Sequence, residues 1–203
     1  MRTSPDHCGH WGILGGTFDP VHNGHLALAD DIIRLKELTG VLLVPSVRHP
    51  LKQDQCRASF RQRVVMLKLA LANRDNLGIS LIETEQNLSG YTLDTIRALK
   101  RLYPKAQFSF IVGADNLVEL NRWRHPDRIL KEVRILAGSR PGIEPRLPTG
   151  LAPDRIELVA TSHVEISSTD LRRRIAEDNN DDQLDLLMPA AVWEYIRREK
   201  LYR

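Results

Sequence analysis

The chain has 203 residues, 42% of them hydrophobic and 27% charged, with a formal net charge of +3; this is the make-up of a soluble globular protein long enough for a substantial core. It contains no apolar run near the roughly 18 residues of a membrane helix and no apolar signal core at its charged N-terminus, so neither a membrane span nor export is expected. Two cysteines, Cys8 and Cys56, cannot make a disulfide framework and suit a reducing cytoplasm, and so mild a positive balance fits a small anionic ligand as well as a nucleic acid.

Residues 1–10 read as a flexible tail ahead of a single domain spanning the chain. Within the tail's Asp6-His7-Cys8-Gly9-His10 run, His7, Cys8 and His10 offer three metal-binding side chains beside Asp6 without a second cluster, so no metal site is expected. Residues 11–14 form a short buried strand. Gly15-Gly16 then allows a tight bend and close approach of backbone to a ligand, Thr17 and Asp19 can cap or bind locally, and Pro20 fixes the turn. Leu26, Ala29, Ile32, Ile33 and Leu35 recur at helical spacing over 26–38, with Gly40 as the stop. Residues 41–44 are a buried parallel strand and 48–55 a polar loop. Ser59 caps a helix running to about residue 72. A strand over 79–82, a polar loop over 83–90 and a helix over 92–102 with Leu93, Ile96 and Leu99 on one face come next. A strand over 108–112 enters the loop Gly113-Ala114-Asp115-Asn116. A short helix over 128–132, a strand over 134–137, a flexible connector over 138–154 and a strand over 156–159 follow. Helices over 168–177 and 189–201 close the chain, the part from 166 onward being helical. Strands alternating with helices predict an α/β fold, a doubly wound Rossmann-like parallel sheet with helices on both faces. The loops after its strands share one edge, where ligands bind.

Several stretches carry chemistry. Residues 12–25, Gly-Ile-Leu-Gly-Gly-Thr-Phe-Asp-Pro-Val-His-Asn-Gly-His, run from strand through glycine turn into helix. His22 and His25, three residues apart, can share one face at the helix entry. Free N–H groups and partial positive charge there suit a phosphate; two imidazoles add donors for charge that builds on an attacked phosphorus. Ile166-Ser167-Ser168-Thr169-Asp170-Leu171-Arg172 sets hydroxyls at a helix start and Arg172 one turn on, either a second phosphate cradle or a plain serine cap with a surface arginine. In Arg48-His49-Pro50-Leu51-Lys52, Lys52 can reach a phosphate as a point charge. Tyr91-Thr92-Leu93-Asp94-Thr95 opens a helix whose N-terminus can hold a carboxylate or simply be capped. Asp115 can accept from ribose hydroxyls, and Gly113 lets the backbone approach. Trp123, eight residues beyond Asp115, would by itself be read as core.

Residues 15–25 resemble the signature of the nucleotidyltransferase superfamily with the His-x-Gly-His motif, and the chain from about residue 11 to 203 is similar to the bacterial nicotinate-nucleotide adenylyltransferases. The resemblance implies an enzyme that transfers the adenylyl group of ATP to nicotinate mononucleotide, giving deamido-NAD and pyrophosphate in NAD biosynthesis. It implies ATP contacts at Gly15, Gly16, Thr17, Phe18, His22, His25, Ser168, Thr169 and Arg172, with His22, His25, Lys52 and Arg172 as the catalytic set. For the nicotinate nucleotide it implies Thr92, Asp115, Trp123 stacked on the pyridine ring, and backbone near Arg124 on its carboxylate. Mg²⁺ is expected with ATP as co-substrate, held mostly by nucleotide oxygens and water. The family's Pro-His-Lys appears here as Pro50-Leu51-Lys52, and Arg63 falls where the family carries a helix arginine, a position that also suits a solvated charge.

Three alternatives stay open at this stage. One is a sibling transferase using nicotinamide mononucleotide, pantetheine phosphate or a CTP-dependent substrate. Another is a relative of class I tRNA synthetases, against which the chain length and the missing Lys-Met-Ser-Lys-Ser loop argue. The third is a non-catalytic nucleotide or nucleic-acid binder, marked by steep salt dependence. No nucleic-acid or membrane partner is expected, a homo-oligomer is compatible with the chain, and the long loops 48–55 and 138–154 suit closure over substrate.

Overall fold

The computed structural model describes residues 8–47, 56–139, 149–162, 166–177 and 183–203. Six strands form one parallel sheet: β1 (Gly9–Gly16), β2 (Gly40–Pro45), β3 (Leu77–Ile79), β4 (Ala106–Gly113), β5 (Arg134–Ser139) and β6 (Ile156–Ala160). Their order is β3-β2-β1-β4-β5-β6, the order of Rossmann folds, with the direction of winding changing between β1 and β4. β1 is central: Trp11 to Gly16 run beside Gly40 to Pro45 of β2, and Gly9 to Leu14 run beside Ala106 to Ile111 of β4.

Alternation of side chains along these strands builds two cores. Leu14, Val41, Leu43, Ile111 and Leu136 face α1 (Asn23–Lys36) and α2 (Phe60–Ala70). Ile13, Leu42, Val44, Phe110 and Ile135 face the other way. There α4 (Thr92–Leu102) buries the expected Leu93, Ile96 and Leu99, and α6 (Pro126–Glu132) adds Ile129 and Leu130. Short helices α3 (Ile82–Glu85) and α5 (Ala114–Leu117) follow β3 and β4, and α7 (Ser168–Glu177), α8 (Leu184–Leu187) and α9 (Ala190–Arg198) complete the first layer. Among the described residues no helix is long and apolar enough to cross a membrane.

Ser59 caps α2 as expected, accepting from the Gln62 N–H at 3.3 Å while the Gln62 side chain accepts from the Ser59 N–H. Other boundaries differ for physical reasons. β1 starts at Gly9, so residues 9 and 10 belong to the sheet rather than to a tail, and His10 shares a hydrogen bond of 2.8 Å with Ser109. Gly40 does not stop α1. That helix ends at Lys36 with Glu37 left-handed, and Gly40 opens β2, where a Cβ would lie 2.7 Å from both the Asn76 carbonyl and the Trp11 ring. Leu35 is exposed rather than on the packed face. The third strand lies earlier than 79–82, because only Leu77 to Ile79 pair with β2; Ile82 begins a helical turn instead. The expected loops after β3 and β4 each begin as a short helix. Gly138 and Ser139 belong to β5 rather than to the connector.

Candidate active site

The carboxyl ends of the strands surround a cavity of about 690 Å³. Gly15 and Gly16 line it from β1, Val112 and Gly113 from β4, and Thr161 and Ser162 from the exit of β6. The position is the change of strand order, where open α/β sheets take their ligands.

The chain leaves β1 through the glycine pair, and Phe18 adopts a left-handed φ of 52°. The Phe18 ring is fully buried. It is withdrawn into the core, beneath His25, with ring centroids 5.0 Å apart and edge to face. His22 caps α1 from an extended conformation. Its backbone N–H donates to His25 Nδ1 at 3.3 Å, and the two imidazole rings lie 3.7 Å apart at 31°. Because Nδ1 accepts, neutral His25 carries its proton on Nε2, a ready donor. Burial lowers the His25 pKa to about 4. Burial, and then the neighbouring His25, hold His22 well below the ordinary imidazole range. His22 Nδ1 is buried without a hydrogen-bond partner. The pair is therefore neutral at pH 7 and set to gain from an anion placed against it.

Residues 168–172, distant in sequence, meet this turn directly. The Ser168 hydroxyl donates to the Pro20 carbonyl at 2.9 Å. Arg172 donates to the Asp19 carbonyl at 2.7 Å and to the Thr169 hydroxyl at 3.2 Å. The cap of α7 is Ser167, whose hydroxyl accepts from the Asp170 N–H at 3.0 Å; Ser168 and Arg172 are left facing the cavity. Asp19 is 1% exposed and does not act locally. Its carboxylate accepts from the N–H groups of Arg57 at 2.8 Å and Ala58 at 3.1 Å, and from the Tyr202 hydroxyl at 2.7 Å.

Across the cavity, Thr92 opens α4 and lines the wall beside Tyr91. The Arg124 guanidinium lies over the Tyr91 ring at 4.6 Å. Trp123 also lines the cavity, held edge-on by Phe110 with centroids 5.7 Å apart. A Cβ on Gly113 would meet nothing within 4 Å, so its bare backbone leaves the space beside it open. Asp115 is placed in α5 by its backbone. Lys52, His49 and Leu51 lie outside the described residues, as do His7 and most of both long loops.

Of two further groups in or bracing the wall, Arg63 was singled out by the resemblance, with a solvated charge as the other reading, and Glu83 was not singled out. Arg63 is no solvated charge: it is 2% exposed and donates to the carbonyls of Thr17 at 2.6 Å and Ser46 at 2.9 Å, tying the exits of β1 and β2 together. Glu83, read as part of a polar loop, is buried in the wall. It accepts from the Thr95 hydroxyl at 2.8 Å and the Val47 N–H at 3.1 Å. For Arg63 the signal was its place one turn after a capped helix start; for Glu83, at the head of a polar run, the sequence carried none.

The description that matches residues 13–174 is the cytidylyltransferase-like family. A protein of Exiguobacterium sibiricum named probable nicotinate-nucleotide adenylyltransferase is 36% identical, over 94% of this chain and 97% of its own. A Moorella thermoacetica protein of the same name is 38% identical, over 96% and 92%. Among solved structures, the nicotinic acid mononucleotide adenylyltransferase of Plasmodium falciparum complexed with NaAD superposes with a TM-score of 0.77, over 95% of this chain and 97% of that one. At 19% identity that likeness speaks for the fold alone. Identity at this level over nearly the whole of both chains, with residues 13–174 matched by the family's description, places the chain in the cytidylyltransferase-like family and, within it, among the nicotinate-nucleotide adenylyltransferases.

Proposed function

We propose that this protein transfers the adenylyl group of ATP to nicotinate mononucleotide, forming deamido-NAD and pyrophosphate, as a step of NAD biosynthesis. The observation that carries the reading is the direct contact of the two phosphate motifs, Ser168 on Pro20 and Arg172 on Asp19, at the mouth of one cavity whose far wall offers Thr92 and Trp123.

In this reading the triphosphate lies over Gly15, Gly16 and Thr17, against the N-terminus of α1. His25 donates from Nε2 to the α-phosphate oxygens as negative charge gathers there, and His22 lies alongside. Ser168, Thr169 and Arg172 hold the departing pyrophosphate, joined by Lys52. Nicotinate mononucleotide stacks its ring on Trp123; Thr92, Asp115 and the backbone near Arg124 receive its polar groups. The attacking phosphate oxygen is already anionic, so the step needs no general base, and no covalent enzyme intermediate forms. Alignment for in-line displacement and charge stabilisation supply the rate. Mg²⁺, as part of the co-substrate, would be held mostly by nucleotide oxygens and water and would offset triphosphate charge.

His25→Ala tests the catalytic assignment. Turnover should fall about 10²–10³-fold, the usual cost of one oxyanion donor, with an unchanged circular dichroism spectrum. Wild-type turnover in the folded variant would remove His25 from the mechanism.

A further inference from the structure

The C-terminal end of the chain reaches the site through Tyr202. Helix α9 ends in a paired-bond stop: Leu201 N–H donates to the Ile196 carbonyl at 3.0 Å and Lys200 N–H to the Arg197 carbonyl at 3.3 Å. Lys200 and Tyr202 are both left-handed, with φ of 55° and 68°, a conformation non-glycine residues adopt only when their surroundings hold them there. The bend turns Tyr202 back onto the turn after β1. Its hydroxyl donates to one oxygen of the Asp19 carboxylate, and its burial raises the phenol pKa far above the ordinary range, a shift the Asp19 charge reinforces. Tyr202 is thus a donor at every working pH.

The carboxylate it serves is a hazard to an anion site. Asp19 is buried in the cavity wall, and Arg172 stands 3.9 Å from its other oxygen. An arginine that closed onto that carboxylate would be neutralised and lost to a phosphate. What holds it off is the way Asp19 is fixed: Oδ2 accepts from the Arg57 N–H and Oδ1 from the Ala58 N–H and the Tyr202 hydroxyl, which shares out the charge and sets the carboxylate plane, while Arg172 rests on the Asp19 carbonyl instead. We propose that Tyr202 is a positioning residue for the phosphate site: by donating to Asp19 it keeps the Arg172 guanidinium off the carboxylate and turned toward the triphosphate. The inference rests on the adenylyl-transfer reading above.

The test is Tyr202→Phe, which keeps the ring and removes one donor. KM for ATP should rise about five- to tenfold while KM for nicotinate mononucleotide stays within twofold. In an Arg172→Ala background the same substitution should add less than twofold to the ATP effect, because the group it orients is gone. A general loosening of the fold would raise both KM values together and would multiply with Arg172→Ala; either result, or an unchanged KM for ATP, overturns the proposal. Should Tyr202→Phe fail to fold, Tyr202→Gln, which keeps a donor, and Tyr202→Leu, which has none, are compared in its place. ATP KM should rise with Leu and distinctly less with Gln; equal values count against Tyr202. Wild-type protein that released no pyrophosphate from ATP would defeat the adenylyl-transfer reading, an outcome distinct from an active wild type indifferent to Tyr202.

Discussion

His25 shows how one side chain is made useful by its surroundings. The His22 N–H fixes its tautomer, Phe18 supports its ring, and the start of α1 aims it at the cavity. The depressed pKa has a consequence for stability. The unfolded imidazole titrates near 6.5 and the folded one at about 4, so between those values the unfolded chain binds the proton that the folded chain refuses. The contribution is complete above about pH 6.5 and is lost as pH falls toward 4. A shift of this size is worth up to about 3 kcal/mol. Denaturant unfolding of wild type and His25→Asn across pH 4–7 should show a distinctly shallower pH slope in the variant; parallel slopes would mean that His25 is not held neutral by the fold. The residues able to do this were legible in the sequence because spacing at a helix start is a local property. The partners of Asp19 were not, since Ala58 and Tyr202 lie 39 and 183 positions away.

At the scale of elements, periodicity and caps located the strands and the longer helices but not the short α3, α5 and α8, and the reading failed where tertiary packing decided. Gly40 looked like a helix stop because glycine commonly follows helices, yet its role is to let β2 pass the Trp11 ring and the Asn76 carbonyl. Residues 79–82 looked like a strand because they are apolar, but pairing with β2 ends at Ile79 and Ile82 is buried by a helical turn. The exits of β1 and β2, which border the cavity, are joined by Arg63 through two carbonyls. Charge-assisted bonds from a buried guanidinium are worth roughly 1.5–3 kcal/mol each. Arg63→Ala should therefore cost about 3 kcal/mol in equilibrium urea unfolding, whereas loss of a surface charge would cost under about 0.5 kcal/mol. A value in the lower range would contradict the bracing role.

For the molecule as a whole, the sheet order brings two motifs about 140 residues apart in sequence to one edge. Right-handed crossovers place every strand exit there, so the alternation of strands and helices was enough to anticipate the shared edge. The contacts that close it, from α7 and the C-terminal residues to the turn after β1, depend on side chains meeting across the fold and could not be read from any local pattern. The cavity between them is lined by His22, His25, Ser168 and Arg172 and by Thr92 and Trp123. On the proposed function, the first group holds the phosphates of ATP and the second the ring of nicotinate mononucleotide, so that both substrates are bound together. The most direct measurement is pyrophosphate release with ATP and Mg²⁺, comparing nicotinate mononucleotide with nicotinamide mononucleotide and pantetheine phosphate at equal concentrations. Release should depend on the mononucleotide and favour the nicotinate acceptor by at least tenfold in kcat/KM; equal or greater release with either of the other acceptors, or none with any of them, would overturn the proposed function.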